Sequence, residues 1–211
     1  MAETDVHRSQ MIGLLECLGE YYRSDPNVYV TGNILLYYRD EEGERQSISP
    51  DVFVVRGIEK KVRRIYNLDV EKKAPEVLIE LTSRHTKVED LGNKRIIYAD
   101  LGVREYFIFD PLDGSITPQL RGFRLEGGEY IPLVGTLLHS EVLGLDLVIE
   151  EELLRLYDPQ TKERLRFHAE AEMERREAEA ARREAETAEQ KVKEENAQLR
   201  EELERLRKTQ R

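Results

Sequence analysis

Two acids and an amine stand where a folding chain has no structural need for charge. Asp51 follows Pro50 at the mouth of the apolar run Val52-Phe53-Val54-Val55, and Glu80 interrupts Val77-Leu78-Ile79 and Leu81. A charge inside such a strand is costly unless it is paired or holds a metal ion. Lys94 lies on the next helical segment, where Asp90, Lys94 and Tyr98 share one face at i, i+4 and i+8. Hydrolysis of a phosphodiester needs a cation that neutralises the phosphate and acidifies an attacking water. Hard cations such as Mg²⁺ take oxygen ligands, usually one or two carboxylates with water filling the rest. Asp51 and Glu80 on adjacent strands supply such ligands, and a nearby ammonium orients the nucleophile or offsets charge on the phosphate. The spacing leaves a structural reading open as well. In that reading Asp51 caps a strand end, and Glu80 and Lys94 form an ion pair.

The elements that must carry these residues are legible from periodicity. His7 to Tyr22 has apolar residues at Met11, Leu14, Leu15, Leu18, Tyr21 and Tyr22, which is a helical stripe ended by Ser24-Asp25-Pro26-Asn27. Val28–Thr31, Ile34–Tyr38 and Asp51–Val55 are β-type runs, with Gly32-Asn33 as a turn or bulge between the first two. Val77–Leu81 is apolar except at Glu80, as expected of a strand covered on both faces. Val88–Leu101 reads as one helix with Gly102 at its stop, and Glu105–Phe109 as a further strand. Strand, helix, strand in that order is a crossover unit, so Val77–Leu81 and Glu105–Phe109 should be parallel neighbours. Tyr106, Phe107 and Phe109 then belong to the core rather than to a base-stacking surface. Turn signals at Asp113-Gly114 and Gly127-Gly128 separate short strands near Ile116–Leu125 and Tyr130–Leu133, and Leu145–Ile149 and Leu153–Tyr157 close the domain. The expected class is α/β with one central sheet over residues 1–158.

From about Thr161 nothing stops a helix: Gly and Pro are absent, and Ala, Glu, Arg and Lys dominate. Ala171, Ala178, Ala185, Val192, Leu199 and Leu206 are spaced seven apart. Taken as d positions they place Asn196 and Leu203 at a, a combination that favours a two-stranded coiled coil. The middle of the segment is poor core and rich in i,i+4 pairs: Glu172–Arg176, Glu179–Arg183, Glu189–Lys193, Glu201–Arg205 and Glu204–Lys208. Each contributes only about 0.2–0.5 kcal/mol, so a solvated single helix competes with pairing. Residues 159–211 are read as one long charged helix that joins two copies of the chain.

Composition narrows the function classes. The net charge is −10, of which −8 lies in Met1–Glu150, against coating of nucleic acid by clustered cations. A local basic approach surface is still compatible with it. Arg56, Lys60, Lys61, Arg63 and Arg64 read either as a solvated loop or as such a phosphate-contact patch. Cys17 is the single cysteine, so disulfides and cysteine zinc sites are excluded. His7, His85, His139 and His168 lack metal-ligand spacing. No Gly-rich loop followed by Lys-Ser/Thr indicates an ATP-driven motor. The start of the chain is polar and no apolar run approaches the ~20 residues of a membrane span, so a cytoplasmic protein without a membrane partner is expected.

Four segments together resemble a known family. They are Ser49-Pro50-Asp51-Val52, then Ala74-Pro75-Glu76-Val77-Leu78-Ile79-Glu80-Leu81-Thr82-Ser83, then Asp90, Lys94 and Tyr98, then Leu101 to Pro111 with its Gly102-Val103-Arg104-Glu105-Tyr106 core. In this order they resemble the bacterial putative restriction endonuclease family, a branch of the PD-(D/E)XK nucleases. The resemblance runs from about His7 to Pro159, with Leu143-Gly144-Leu145 and Leu156-Tyr157-Asp158-Pro159 fitting the closing segment. It implies a restriction-endonuclease-like mixed sheet with flanking helices and a cleft where Asp51 and Glu80 bind Mg²⁺ or Mn²⁺. It also implies a third metal contact from the backbone carbonyl of Leu81, and DNA as substrate. The superfamily's lysine usually lies two residues after the second acid, where this chain has Thr82. The resemblance assigns that role to Lys94 on the following helix. The Y-E-L-x-x-G-E-type hairpin common at the family's start is absent. The expected function is a metal-dependent endonuclease with Asp51, Glu80 and Lys94 as catalytic residues, dimerised through its terminal helix. A non-catalytic scaffold of the same fold, assembled through that helix, is the alternative.

Overall fold

A computed structural model of the protein describes residues 4–209 except 113 and 115, and for residue 195 and residues 197–209 the backbone alone. The chain divides into two units, Met1–Phe167 and His168–Arg211.

The first unit is built on a six-stranded mixed sheet. Its strands are β1 (Val28–Thr31), β4 (Val52–Arg56), β6 (Val77–Leu81), β7 (Glu105–Phe109), β8 (Leu120–Glu126) and β9 (Glu129–Leu133), adjacent in that order. β6 and β7 are parallel, register Glu80↔Ile108, and the remaining neighbours are antiparallel. Every residue of β6 and β7 is buried, because layers cover both faces. Two small sheets accompany the large one where a single sheet was expected. β2 (Leu36–Arg39) lies between β3 (Arg45–Ile48) and β5 (Tyr66–Asn67), and β11 (Leu145–Glu150) lies between β10 (Leu137–Ser140) and β12 (Leu153–Tyr157). The polar strand β3 and the two-residue β5 offer too little apolar periodicity to be read from sequence.

Side-chain alternation splits the interior into two cores. Val52, Val54, Val77 and Ile79 face α1 (Asp5–Tyr21) and the sheet β10–β12, burying Leu14, Leu18, Leu147 and Leu156. Phe53, Val55, Leu78, Tyr106 and Ile108 face the other way, with Tyr98 and Tyr66. α1 starts at Thr4, whose side chain accepts the His7 N–H at 3.2 Å. A short helix α2 (Leu68–Glu71) follows β5.

The helix expected over Val88–Leu101 is broken into α3 (Lys87–Leu91) and α4 (Asn93–Asp100) at Gly92, whose ψ of −96° is far from helical. A Cβ there would stand 2.7 Å from the Val88 carbonyl oxygen. The tight kink therefore favours glycine.

The basic cluster lies on a loop in which Lys60, Lys61 and Arg64 are exposed, while Arg56 and Arg63 are partly buried. Arg63 is buried against Glu71, at 2.8 Å, and lies over the Tyr29 ring. Arg56 donates to the Val142 carbonyl, Lys60 to that of Tyr22 at 3.2 Å, and Lys61 pairs with Glu59 at 3.4 Å. Arg56, Lys60 and Arg63 thus hold neighbouring segments together.

The second unit is α5 (His168–Thr209). The helix begins later than composition suggests, because residues 158–167 are used by the first unit. Tyr157 bridges Arg164, the Leu165 N–H donates to the Leu156 carbonyl at 2.8 Å, and Phe167 packs on the core. Along α5, Arg176 pairs with Glu172 at 3.1 Å, Arg183 with Glu179 at 2.7 Å and Lys193 with Glu189 at 2.6 Å. Leu199, Leu203, Leu206 and the pairs Glu201–Arg205 and Glu204–Lys208 lie outside the residues whose side chains are described. Among the described residues no helix is long and apolar enough to cross a membrane.

Candidate metal centre

The antiparallel register of β4 on β6, with Val52 opposite Ile79, brings Asp51 opposite Glu80 one step further along. The two acids thus meet at the C-terminal end of β6. The Asp51 N–H donates to Glu80 Oε2 at 3.4 Å, and the Leu81 N–H donates to Asp51 Oδ2 at 2.7 Å. Glu80 points to the same side of the sheet as Leu78, toward α4. There Tyr98 donates its hydroxyl to Glu80 Oε1 at 2.6 Å, and Lys94 Nζ lies 3.1 Å from Glu80 Oε2.

Lys94 also reaches Asp90 Oδ1 at 2.8 Å. Asp90, from α3, is buried, and its carbonyl accepts the Tyr106 hydroxyl at 2.9 Å. The kink at Gly92 leaves the i,i+4 relation of Asp90 and Lys94 intact. The three sequence-predicted catalytic residues Asp51, Glu80 and Lys94 therefore converge, and Leu81 adjoins them through its backbone. Asp90 and Tyr98 complete the group from the same helical face.

Sequence reasoning missed His7. Its Nε2 lies 3.4 Å from Asp51 Oδ2, so the first turn of α1 reaches the acid pair. The signal was present: His7, Met11, Leu14 and Leu18 fall on one stripe of the helix, and a histidine on a buried stripe needs a partner. Gly32 was also underread. A Cβ at this position would overlap the Asp51 carbonyl oxygen, and the Asn33 N–H donates to the Pro50 carbonyl at 2.8 Å. The β1–β2 loop thus lies directly on the backbone that aims Asp51.

Electrostatics separates the two acids. Burial pushes the Glu80 carboxyl up to about 8, with Asp51 and Asp90 adding repulsion, while Lys94 and the Tyr98 hydroxyl oppose the rise. Burial acts on Asp51 in the same sense, yet His7, the Leu81 N–H and Glu80 outweigh it and hold Asp51 below its ordinary value. Burial disfavours the Lys94 ammonium too, but Glu80 and Asp90 dominate and raise its pKa. Lys94 is a fixed cation, not a base. Fully ionised, three carboxylates against one ammonium leave two negative charges in a low-dielectric site. A divalent cation cancels that excess.

Among the described residues no three His, Cys, Asp or Glu side chains form a ready-made metal cage. The donors present, two adjacent carboxylates, suit a hard cation that keeps most of its water, as Mg²⁺ does. They do not suit a cation that demands a closed nitrogen or sulfur shell.

The fold is a mixed α/β sheet with flanking helices, with Asp51 and Glu80 at the ends of adjacent central strands and Lys94 on the helix beside them. The model of the Uma2 family, described as "Putative restriction endonuclease", matches residues 1–154, and the chain belongs to that family. Among solved structures, the chain is similar to a putative nuclease belonging to DUF820 from Anabaena variabilis ATCC 29413. The TM-score is 0.51 at 13% identity, over 68% of this chain and 76% of that one. At this identity the likeness establishes the fold. No curated protein matches the chain. Family membership supports a nuclease.

Proposed function

We propose that the protein is a Mg²⁺- or Mn²⁺-dependent endonuclease that hydrolyses DNA phosphodiester bonds. The observation that carries the reading is the convergence of Asp51 and Glu80 on one sheet edge with Lys94 beside them. Asp51 and Glu80 would hold the cation, and the Leu81 carbonyl, just past the second acid, is the candidate for a third contact. When bound, a divalent cation supplies Lewis-acid stabilisation of the phosphate and acidifies water at the site.

The chain's own residues do the rest. His7 and the Leu81 N–H fix the carboxylate of Asp51, so that its orientation does not depend on the ligand. Tyr98 and Lys94 fix Glu80 from the opposite side. Lys94, kept charged by Asp90, offers a positive charge where negative charge develops on the phosphate. The burial of Glu80 and Asp90 keeps bulk water from screening these interactions.

The terminal helix joins two copies of the chain in this reading, which suits a substrate of two strands. Plasmid nicking in Mg²⁺ or Mn²⁺ tests the activity. Wild type is expected to nick, and Asp51→Ala and Glu80→Ala are each expected to lose at least about 100-fold, a typical cost of removing electrostatic stabilisation. Equal activity in all three proteins assigns the nicking to a different site or a contaminant. Absence of nicking in wild type, with Mn²⁺ binding also absent, favours the scaffold reading.

A further inference from the structure

The inference rests on the nuclease reading above and concerns how the site holds its polyanion. Most cations of the first unit are already committed: Arg39 to Asp69, Lys73 to Glu76, Arg124 to Glu105, and Arg63 and Lys94 as described. Arg84 is different. It is exposed, and among the described residues it has no carboxylate within ion-pair range. Lys87, half-buried at the start of α3, likewise has none.

The position of Arg84 is set by the strand that carries Glu80. β6 ends at Leu81, the Thr82 N–H still bonds the Phe109 carbonyl at the end of β7 (2.7 Å), and the chain then turns. That turn is built. The Ser83 N–H donates to Thr86 Oγ1 at 3.0 Å, and the Lys87 N–H donates to the Ser83 carbonyl at 2.9 Å. Because β6 and β7 are parallel, the loop after β7 emerges at the same edge. The Arg84 guanidinium lies 3.9 Å from the Cβ position of Gly114 in that loop. Arg84 thus stands at the same end of the sheet as Asp51 and Glu80, four residues past Glu80 and on the β7 side of it. A phosphate chain approaching two acids needs compensating positive charge on either side of the bond to be cut, and the domain's net charge of −8 supplies no general attraction.

We infer that Arg84 is a positioning residue that grips a phosphate of the bound strand beside the scissile one. Its planar fork of N–H donors matches two non-bridging oxygens of a phosphate. Lys87 adds charge behind it.

The experiment is fluorescence anisotropy of the full chain with a labelled DNA duplex, in Ca²⁺ so that the strand stays uncut, over a series of salt concentrations. Each duplex phosphate contact contributes about 0.9 to the slope of log K against log salt. Arg84→Ala is expected to flatten the slope by about 0.9 per contact, and Arg84→Lys to retain most of it. Arg104→Ala is the control. Arg104 is an exposed cation at the start of β7, the opposite end of the sheet, and its removal should leave the slope unchanged. A slope in Arg84→Ala equal to wild type, with Mn²⁺ binding intact, overturns the inference and leaves the metal site standing. An equal loss in Arg104→Ala also overturns it, since only the general field would then matter. Failure of wild type to bind the duplex in any salt overturns the inference together with the nuclease reading.

Discussion

Glu80 links the chemistry of the site to the stability of the fold. Burial raises its pKa from the ordinary 4.5 to about 8, so the folded protein holds a proton that the unfolded chain releases. An acid with a raised folded pKa contributes stability fully below its unfolded pKa, and loses it as pH rises through the folded value. In chelator, thermal unfolding of wild type should therefore show a fall in Tm between about pH 4.5 and pH 8. Glu80→Gln, which mimics the protonated acid, should flatten that fall. An identical pH profile in both proteins would detach the effect from Glu80. Lys94→Ala should destabilise by up to about 3–5 kcal/mol, the cost of orphaning a buried partner, read from urea denaturation. Proton uptake by Glu80 makes that figure an upper bound. Asp51 and Glu80 were legible in the sequence because a charge in an apolar run is conspicuous. His7 was marked only as a polar member of the α1 stripe, and its partner, 44 positions further along the chain, could not be read from that local spacing.

The strands and helices that aim these side chains are held by close backbone approaches. Gly32 allows the β1–β2 loop to rest on Asp51, and any Cβ there must displace the carbonyl of that residue. Gly32→Ala should cost about 1–3 kcal/mol in overpacking, and it should weaken Mn²⁺ binding, which distinguishes it from a change elsewhere in the fold. Gly13 faces the Phe167 ring, with a built Cβ only 2.6 Å from it. Gly13→Ala should therefore destabilise by a similar amount while leaving the metal affinity of the folded protein unaltered. Isothermal titration and chemical denaturation separate the two cases. The central strands were readable from their continuous apolar runs, and the parallel pairing of β6 with β7 followed from the helix between them. β3 and β5 were hidden because they are polar or very short, and the break at Gly92 because both halves keep one helical period.

The two units of the chain obey different rules. Met1–Phe167 folds around two apolar cores, and its family model covers residues 1–154. α5 has 42 residues, about 63 Å at 1.5 Å per residue, and its described side chains form ion pairs rather than a core. The heptad of Ala171, Ala178, Ala185 and Val192 and the asparagine at position 196 support the proposal that α5 pairs with a second copy. Light scattering at micromolar concentration should give a dimer for the full chain and a monomer for a chain ending at Phe167, whose unfolding remains cooperative. A monomer in both would leave α5 as a solvated helix. Composition made this segment visible at once, but the start of the helix was not, since Leu165 and Phe167 are claimed by the first unit.

The most direct test is calorimetric titration of Mn²⁺ into the chelator-treated protein, wild type against Glu80→Ala and Asp51→Ala. The account predicts saturable binding to wild type that disappears in either variant while both remain folded by circular dichroism. Saturable binding of equal strength in all three, or none in wild type even with a DNA duplex present, would contradict it.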